Sequence, residues 1–490
     1  MPLPGPERPL RRVSLIYPPY GATKNEPGIK VVKENYGVFP SLSLAYVAAV
    51  MERWGASIQY IDANALELSL EETIARAEKF KPDLLAFSIT TYLFHQTLAW
   101  VRAVREALMV PTLLGGVHMG LYPKETFSHS EIDLGVIGEA EITVPELFDA
   151  LNQGRDLTAV RGLIFRKSGD LAITEPRPLM ENVDDAPFPA RHHLPNERYY
   201  SFISQFKYFT PFITSRGCPY QCAFCEQGSR KFRPRSPENV IEEIEQCHYV
   251  FKVREFDFFD SAFTVDKARV HKICDLIASR PFKAVWAIRS RVDLVDEPML
   301  KALRRAGCKR IYYGIESSDP SILDALNKKT DLNQIRHTIS ATRKVGIDTF
   351  GYFMVGSPGE TEQTVLNSVA FAKELKLDFA QFSKVTPMPG TALYQKVVEE
   401  KGVDYWQKIV LDSSADDYIS RPGTSLTEAD VQRLTRLAYI RFYFRLRYII
   451  RALLRIKSWA ELARSVRTGL SMLITRDRQF ERTWTSKVQY

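Results

Sequence analysis

Residues 215–237, SRGCPYQCAFCEQGSRKFRPRSP, contain three of the six cysteines in this 490-residue chain. Cys218, Cys222 and Cys225 form a C-x3-C-x2-C pattern without an adjacent fourth cysteine. The pattern fits an incomplete zinc site, a redox pair with a spare thiol, or three ligands of an iron–sulfur cluster. A structural zinc normally takes four protein ligands, and the local candidate His248 lies far down the following predicted helix. The spacing therefore favours a cluster with one iron left open for a substrate.

The cysteine motif follows the first of a series of predicted strands in the second half of the chain. These strands are PFITS (211–215), EFDFF (255–259), AVWAIR (284–289), KRIYYG (309–314), TFGYFMV (349–355) and FAQFSKV (379–385). Helical patterns follow the first five, and the earliest begins with Ser236 as cap and Pro237 in the first turn. Repeated strand–helix units predict a complete or partial parallel (β/α)6 barrel, whose active site lies at the carboxyl ends of the strands.

The first 150 residues also alternate strands with amphipathic helices. RRVSLIYPP, SIQYID, PDLLAFSITT, VPTLLGG and DLGVIGE have strand patterns, which predicts a doubly wound parallel sheet. Ligands of such sheets bind at the carboxyl ends of the strands. Small or polar residues stand at those ends, namely Tyr20, Gly21, Ser88, Thr90, Thr91, Gly115, Gly116, Gly138 and Glu139. They are candidate ligand contacts, with ordinary turns between strand and helix as the alternative.

Four segments follow from these patterns. Residues 1–150 form the first domain and residues 207–400 the barrel domain. Residues 151–206 form a linker, which contains a predicted hairpin, GLIFRKSGDLAI, and a proline-rich run, APFPARHHLPNERYY. Residues 401–490 are expected to be a helical, basic and amphipathic extension.

The composition excludes several classes of protein. Hydrophobic residues make up 45% of the chain, but no apolar run reaches 18 residues, and the start MPLPGPERPLRR has no apolar segment behind it. Six cysteines with three clustered do not form the evenly spread framework of a disulfide-rich secreted protein. We therefore expect a cytoplasmic protein, in which Cys247, Cys274 and Cys308 are buried and unreactive.

The C-terminal extension contains a basic aromatic stretch. RLTRLAYIRFYFRLRYIIRALLRIK, residues 433–457, has eight basic and no acidic residues. Arg441 and Arg445, then Arg451 and Arg455, recur at four-residue spacing, as expected for a helix lying peripherally on the inner face of a membrane. The alternative is a helix that packs its apolar face on the barrel and exposes its arginines.

The resemblance to a known family starts at the cysteines. With the aromatic Phe224 before the third cysteine, the motif resembles the signature of radical S-adenosylmethionine (SAM) enzymes. Further segments, among them FFDSAFTVDKARV, FGYFMVGSPGETEQTV and VTPMPGTALY, resemble the cobalamin-dependent branch of that superfamily, and YPPYG, LLGGVHMG and IGEAEITVPEL resemble its cobalamin-binding domain. The likeness covers about residues 10 to 400 and extends distantly to the anaerobic magnesium-protoporphyrin ester cyclase.

The resemblance implies a 4Fe–4S cluster, SAM and cobalamin as cofactors. The thiolates of Cys218, Cys222 and Cys225 would hold three irons, and the fourth iron would chelate SAM, whose reductive cleavage yields a radical that removes hydrogen from unactivated carbon. The implied SAM contacts are Asp260, Ser261, Glu316 and Gly356, with Arg289 and Arg291 as weaker candidates for its carboxylate group.

Two departures concern cobalamin, whose implied contacts are the strand-end residues of the first domain. The family often has Gly-Glu-Gly-Glu where this chain has Gly138-Glu139-Ala140-Glu141. The Asp-x-His-x-x-Gly motif that donates a histidine to cobalt is absent, so His118 in GGVHMG is interpreted as a turn residue. The resemblance implies cobalamin without a histidine ligand on its lower face.

Three functions are compatible with these features. The leading one is a C-methyltransferase that acts on a hydrophobic or membrane-associated small molecule, such as a lipid, terpenoid or tetrapyrrole, with a flavodoxin- or ferredoxin-type electron donor. The alternatives are a radical oxidation or ring closure, as in the cyclase, and a non-catalytic cobalamin- or cluster-binding sensor. Nucleic acid is not expected as a partner, because RNA-modifying relatives carry extra cysteines in the N-terminal domain, whereas the first cysteine here is Cys218.

Overall fold

The computed structural model describes residues 1–19, 37–201, 203–206, 208–227, 230–415, 420–446 and 448–449. The chain divides into two compact units. The first comprises Met1–Pro211, Gln246–Val253 and Asp404–Asp417, and the second comprises Phe212–Glu245, Arg254–Val403 and Tyr418–Tyr490.

Most strands match the predicted segments, whereas β2, β9, β11 and β12 were not predicted and β10 begins and ends before the predicted PFITS. They are β1 Arg12–Tyr17, β2 Gly37–Val38, β3 Ser57–Asp62, β4 Leu84–Ser88, β5 Thr112–Gly115, β6 Leu134–Val136, β7 Leu163–Lys167, β8 Asp170–Ile173, β9 Tyr200–Ser201, β10 Phe209–Phe212, β11 Ser215–Cys218, β12 Arg230–Pro234, β13 Glu255–Phe258, β14 Val285–Ser290, β15 Cys308–Glu316, β16 Asp348–Val355 and β17 Phe379–Lys384.

The helices follow the predicted amphipathic patterns. They are α1 Leu42–Trp54, α2 Leu70–Phe80, α3 Phe94–Leu108, α4 Pro123–Thr126, α5 Ala140–Gln153, α6 Pro237–Tyr249, α7 Lys267–Ala278, α8 Glu297–Arg305, α9 Pro320–Ala325, α10 Leu332–Lys344, α11 Glu362–Glu374, α12 Ala392–Lys401, α13 Tyr405–Leu411 and α14 Glu428–Tyr443. Local capping sets several boundaries. Ser69 and Glu72 form a reciprocal capping box at the start of α2, and the Asn239 N–H donates to Ser236 Oγ (3.2 Å) as expected for α6.

The first unit is built on a sheet with the strand order β3-β1-β4-β5-β6-β7-β8. Strands β3 to β6 are parallel, whereas β7 and β8 are antiparallel. Leu15 and Ile16 on β1 and Leu84 and Leu85 on β4, consecutive residues that point to opposite faces, are fully buried, as expected where helices cover both faces. The doubly wound sheet is confirmed, and the hairpin expected in the linker extends this sheet at the β6 edge.

A curled half-barrel sheet has its strands in chain order, β10-β13-β14-β15-β16-β17. Strands β13 to β17 and the last residue of β10, Phe212, belong to the second unit. Strands β13 to β17 pair in parallel. Each strand–helix unit adds one strand beside the previous one, so the partial parallel barrel is confirmed. Strands β11 and β12 form a separate antiparallel hairpin.

Helix α14 covers the edge strand of the half-barrel. The β17 backbone N–H groups of Phe382 and Ala380 donate to the Tyr439 and Tyr443 hydroxyls (3.3 and 3.0 Å), and the Tyr448 hydroxyl donates to the Asp378 carbonyl (3.1 Å). These contacts satisfy polar groups that an open sheet edge would leave unpaired.

Tyr439, Phe442, Tyr443 and Tyr448 of the basic stretch therefore pack on the barrel, whereas Phe444 is exposed. Of the two alternatives, these contacts favour the packed helix, and contact of the stretch with a membrane stays a prediction. Arg441 is exposed, and Arg445 lies over the Phe442 ring (4.4 Å). Arg451 and Arg455 lie outside the described residues. Among the described residues, no helix is both long and apolar enough to cross a bilayer.

Candidate functional site

The cysteine motif begins on the β11–β12 hairpin. The expectation placed it directly after a barrel strand at 211–215, but the barrel strand β10 ends at Phe212, and Cys218 is the last residue of β11. Gly217 has φ +75°, and a Cβ atom there would lie 2.3 Å from the Lys231 carbonyl oxygen. Only glycine therefore allows the two strands of the hairpin to approach so closely just before the first cysteine.

The three thiols are reduced and spread around one loop. Cys218 is buried, Cys222 and Cys225 are half-buried, and the Cys225 N–H donates to the Cys222 carbonyl (3.1 Å). The three sulfur atoms do not all lie within 4.8 Å of one another. A tetrahedral zinc with Zn–S bonds of about 2.3 Å needs sulfur atoms about 3.8 Å apart. The three thiols in their present arrangement therefore do not form a closed zinc site.

The other cysteines are in a different chemical environment. Cys247, Cys274 and Cys308 are fully buried. Burial raises the pKa of Cys274 to about 12, so its thiol stays protonated at neutral pH. These thiols suit core packing and not metal binding.

Arg291 lies beside the cysteine loop. Its Nη1 is 3.6 Å from the Cys222 sulfur, and its guanidinium stacks 4.1 Å from the Tyr220 ring centre. Asp293 and the Lys328 carbonyl hold it in place, with hydrogen bonds of 2.9 and 2.7 Å. Burial raises the pKa of Cys222, while the nearby charges of Lys328 and Arg291 act to lower it. The two cations favour bound thiolates electrostatically.

A buried ion pair lies in the same region, and sequence reasoning found only one of its partners. Lys328 Nζ is 2.8 Å from Glu316 Oε1, and both side chains are about 7% exposed or less. Glu316 has φ +66°, at an irregularity in the pairing of β15 with β16. A Cβ atom at Gly314 would lie 2.4 Å from Glu316 Oε1 and 2.6 Å from Lys328 Nζ. Gly314 lies inside strand β15, and a glycine in a strand often marks a place where other groups approach the backbone closely. That glycine was the sequence signal that could have indicated the Glu316–Lys328 pair.

Asp260 supports the strand end that precedes the hairpin. Its Oδ1 accepts hydrogen bonds from the backbone N–H groups of Thr214 (2.6 Å) and Ser215 (3.2 Å), and its Oδ2 accepts one from the Thr214 hydroxyl. Asp260 is 1% exposed, whereas the adjacent Ser261 is exposed. The structure thus gives Asp260 a structural role, and its predicted contact with SAM stays a prediction, as does that of Ser261.

Arg289 and Gly356 also have partners within the protein. Arg289 pairs with Asp257 (2.6 Å), so the guanidinium proposed for the SAM carboxylate is already bound to another carboxylate. Gly356 has φ +94°, and its N–H donates to Glu360, whose pKa is raised to about 7 by burial. A Cβ atom at Gly356 would lie 2.8 Å from Arg421 Cδ. Both residues are structurally constrained, and their contacts with SAM stay predictions.

One face of the half-barrel sheet presents a band of aromatic rings. Phe350 and Tyr352 on β16 and Phe379 on β17 are half-buried, while the residues that alternate with them are buried. Tyr312 stacks on Tyr352 with ring centres 5.9 Å apart, and Phe350 stacks on Phe379 at 6.0 Å. This band offers a partly open apolar surface inside the second unit.

The first unit contains a cavity of about 240 Å³ at the carboxyl ends of β1 and β4. Its lining residues are Tyr17, Pro18, Pro19, Ser41, Ser43, Ser88, Thr90, Tyr92, Leu93, Gln96 and Thr97. The sheet order changes direction at β1, between β3 and β4, which is where ligands of doubly wound sheets bind. The cavity is partly apolar and carries several hydroxyl groups, so it can contact one part of an amphipathic organic cofactor, the rest of which would lie outside a volume of about 240 Å³.

The predicted cobalamin contacts separate into three groups. Ser88 and Thr90 line the cavity. Thr91 is buried and its hydroxyl bonds to a histidine, and Gly115, Gly116, Gly138 and Glu139 are not among the lining residues. Tyr20 and Gly21 lie outside the described residues.

His118 is buried against hydroxyl groups. Its Nδ1 lies 3.0 Å from Thr91 Oγ1, and its Nε2 lies 2.9 Å from Thr126 Oγ1. Burial lowers its pKa to about 4, so the ring is neutral. Both ring nitrogens therefore serve the packing of the first unit.

Comparison with protein families gives two matches. The radical SAM superfamily model matches residues 212–372, and the B12 binding domain model matches residues 28–148. The first range holds the cysteine loop and strands β13 to β16 of the half-barrel. The second holds strands β3 to β6 of the doubly wound sheet and eight of the eleven residues that line its cavity.

Similar proteins span most of the chain. An uncharacterized methyltransferase of Pyrococcus horikoshii is 33% identical over 451 residues, covering 90% of this chain and 94% of that protein. The anaerobic magnesium-protoporphyrin IX monomethyl ester cyclase of Rubrivivax gelatinosus is 28% identical, covering 81% and 72%. The solved structure of the radical SAM methyltransferase TsrM from Kitasatospora setae has a TM-score of 0.64 at 18% identity, covering 80% and 76%, and is similar in fold.

Proposed function

Because the chain belongs to the cobalamin-dependent radical SAM enzymes, we propose that it transfers a methyl group to an unactivated carbon of a hydrophobic small molecule. The enzyme class, with its 4Fe–4S cluster, SAM and cobalamin, follows from the family, and methyl transfer is supported by the relative from Pyrococcus horikoshii. The carbon acceptor and the hydrophobic substrate are the finer part of the proposal. The aromatic band of the half-barrel supports the hydrophobic substrate, and the carbon acceptor is tested by the labelling experiment below.

The cysteine loop is the proposed holder of the cluster. Cys218, Cys222 and Cys225 would bind three irons, leaving a fourth iron for SAM. When bound, the cluster with SAM supplies a route to a carbon radical, and cobalamin supplies a methyl donor. Arg291 places a positive charge 3.6 Å from one ligand sulfur, which favours the thiolate form that a metal requires.

The aromatic band is the proposed surface for the substrate. Phe350, Tyr352 and Phe379 offer rings that are partly open on one face of the sheet, and the buried Tyr312 stacks on Tyr352. Burying apolar substrate surface against such rings is favourable by roughly 25 cal/mol per Å². Arg289 and Asp257 at the edge of the band form a fixed dipole that can orient a polar substituent.

Membrane contact forms no part of the proposal. Tyr439 and Tyr443, for which membrane contact was one of two alternatives, bind the backbone of β17.

We place cobalamin at the cavity of the first unit and expect Ser43→Trp to remove it. Ser43 is exposed and lines the cavity beside Ser88 (3.4 Å between the hydroxyl oxygens), so an indole there would occupy the volume that the cofactor needs. Cobalamin content, measured by absorbance after anaerobic reconstitution, should fall by about tenfold or more, while iron content is unchanged. Ser57→Trp makes the same change at an exposed position on the opposite end of the sheet and should bind cobalamin normally. If the two variants contained equal amounts of cobalamin, the cofactor would have to bind at a site other than this cavity.

The proposed reaction is tested with SAM that carries a deuterated methyl group. Reconstituted enzyme, a flavodoxin- or ferredoxin-type donor and a panel of lipids, terpenoids and tetrapyrroles should give a product with the labelled methyl group on carbon. S-adenosylhomocysteine and 5′-deoxyadenosine should both accumulate, and a reaction without the electron donor should give neither labelled product nor 5′-deoxyadenosine. An unlabelled product that has lost hydrogen or gained oxygen would replace methyl transfer with the cyclase-type reaction of the Rubrivivax gelatinosus relative.

A further inference from the structure

Two adjacent histidines and one carboxylate converge on the surface of the first unit. His192 and His193 end a single 3-10 turn, Arg191–His193, and Glu52 lies near the end of helix α1. His192 Nε2 is 3.0 Å from the Glu52 carboxylate, and His193 Nε2 is 3.3 Å from Glu52 Oε1. All three side chains are at least partly accessible, with exposed fractions of 52% for His192, 22% for His193 and 43% for Glu52.

The 3-10 turn allows the side chains of the adjacent residues His192 and His193 to point in the same direction. Successive residues of a strand point to opposite faces, and their rings would separate. Here the two imidazole ring centres are 4.2 Å apart at an angle of 44°, and both present the same ring nitrogen to one carboxylate. The backbone thus presents two nitrogen donors and one oxygen donor to a common point.

The donor atoms have the spacing that a metal ion requires. The three ligand atoms all lie within 4.8 Å of one another. A tetrahedral zinc with bonds of about 2.0–2.1 Å to nitrogen and oxygen needs ligands about 3.3 Å apart. The two donor separations measured at Glu52, 3.0 and 3.3 Å, are already close to that value.

We propose that Glu52, His192 and His193 form a binding site for a divalent transition-metal ion such as zinc, with water in the fourth position. Two histidines and one carboxylate are a ligand set that zinc takes readily. The site contains no cysteine and is separate from the loop of Cys218.

The protonation states at neutral pH suit this ligand set. Burial lowers the pKa of His193, and the neighbouring His192 lowers it further, which favours the neutral ring. Each Nε2–H now donates to Glu52, so a bound metal would replace these two hydrogen bonds, with the ring proton moving to Nδ1. Although burial acts to raise the pKa of Glu52, its hydrogen bonds to the histidines lower it overall, so the carboxylate is ionised. Metal binding requires neutral imidazole and ionised carboxylate, so it competes with protons for the same ligand atoms.

A metal bound by Glu52 of helix α1 and by His192 and His193 of the proline-rich linker would cross-link these two elements. Two contacts already hold these elements together: the Ala190 N–H donates to the Ala45 carbonyl (3.0 Å), and Arg53 donates to the Asp185 carbonyl (3.2 Å). A metal bond from Glu52 to the 3-10 turn would add a third and stronger link. The site would therefore act as a structural clip within the first unit.

Zinc titration of the reconstituted holoenzyme tests the proposal. Isothermal titration calorimetry should show one zinc site per chain, and His192→Gln with His193→Gln should weaken it by about tenfold or more. His337→Gln removes an exposed histidine from helix α10 and should leave the zinc affinity unchanged. Equal affinity in the double variant and the wild type would overturn the proposal, as would absence of binding in the wild type.

X-ray absorption at the zinc edge identifies the ligands independently. The proposed site gives only nitrogen and oxygen neighbours at about 2.0–2.2 Å, whereas zinc in the cysteine loop would give sulfur at about 2.3 Å. A sulfur shell would assign the bound zinc to Cys218, Cys222 and Cys225 and would overturn the proposal. Unchanged iron content and melting temperature of the double variant without zinc would show that the loss of zinc binding is not a folding defect.

Discussion

Replacing Cys218, Cys222 and Cys225 together by alanine should remove the cluster, lowering the iron content of reconstituted protein from about four atoms per chain to none. Each thiolate is expected to hold one iron, and no other cysteine among the described residues lies in the loop that carries them. SAM cleavage, measured as 5′-deoxyadenosine under a strong reductant, should become undetectable. The measurement combines iron analysis with chromatography of the nucleoside product.

Cys274→Ala is the matched control. The Cys274 thiol is fully buried and its pKa is raised to about 12 by burial, so it cannot readily become a thiolate ligand. This variant should keep its iron and its SAM cleavage. Full iron content in the triple variant, or iron loss in the control equal to that in the triple variant, would contradict the assignment of the cluster ligands.

Lys328→Met should destabilise the second unit by about 3–5 kcal/mol, because it leaves the Glu316 carboxylate buried without a charged partner. Glu316 and Lys328 are both about 7% exposed or less, and the pair is 2.8 Å apart. Urea unfolding of cluster-free protein, followed by circular dichroism, should show a large fall in the midpoint of the transition.

Two further variants test whether the loss of stability comes from the unpaired charge of Glu316 or from the lysine-to-methionine change itself. Lys329→Met makes the same change at the exposed neighbouring residue and should shift the midpoint little. Glu316→Gln combined with Lys328→Met removes the uncompensated charge and should recover most of the lost stability. If Lys328→Met were no more destabilising than Lys329→Met, the ion pair would not be a structural element of this region.

Much of the architecture could be predicted because it depends on local patterns. Alternation of apolar residues placed SIQYID on a strand with the same bounds as β3, Ser57–Asp62. The serine cap and following proline predicted the start of α6 at Pro237. Each prediction depends on a few residues that are close together in the sequence, so it required no knowledge of contacts between distant residues.

The local sequence did not show which neighbouring elements some of the predicted elements pack against. The hairpin at 162–173 was predicted correctly, but its pairing with β6 depends on which sheet edge is open. The tyrosines of α14 fit a membrane helix or a packed helix equally well by pattern. The structure shows that β17 lies beside these tyrosines and that the Tyr443 hydroxyl bonds to its backbone, which favours a helix packed on the barrel.

The same division holds for the site. The sequence by itself determined the cysteine loop, because the three thiols lie within eight residues and their chemistry needs no distant partner. The tertiary structure alone decided which charges surround that loop: it brought Arg291 within 3.6 Å of Cys222 across 69 positions and paired Lys328 with Glu316. Electrostatic interactions act through space and depend on burial, and neither separation nor burial can be read along a chain.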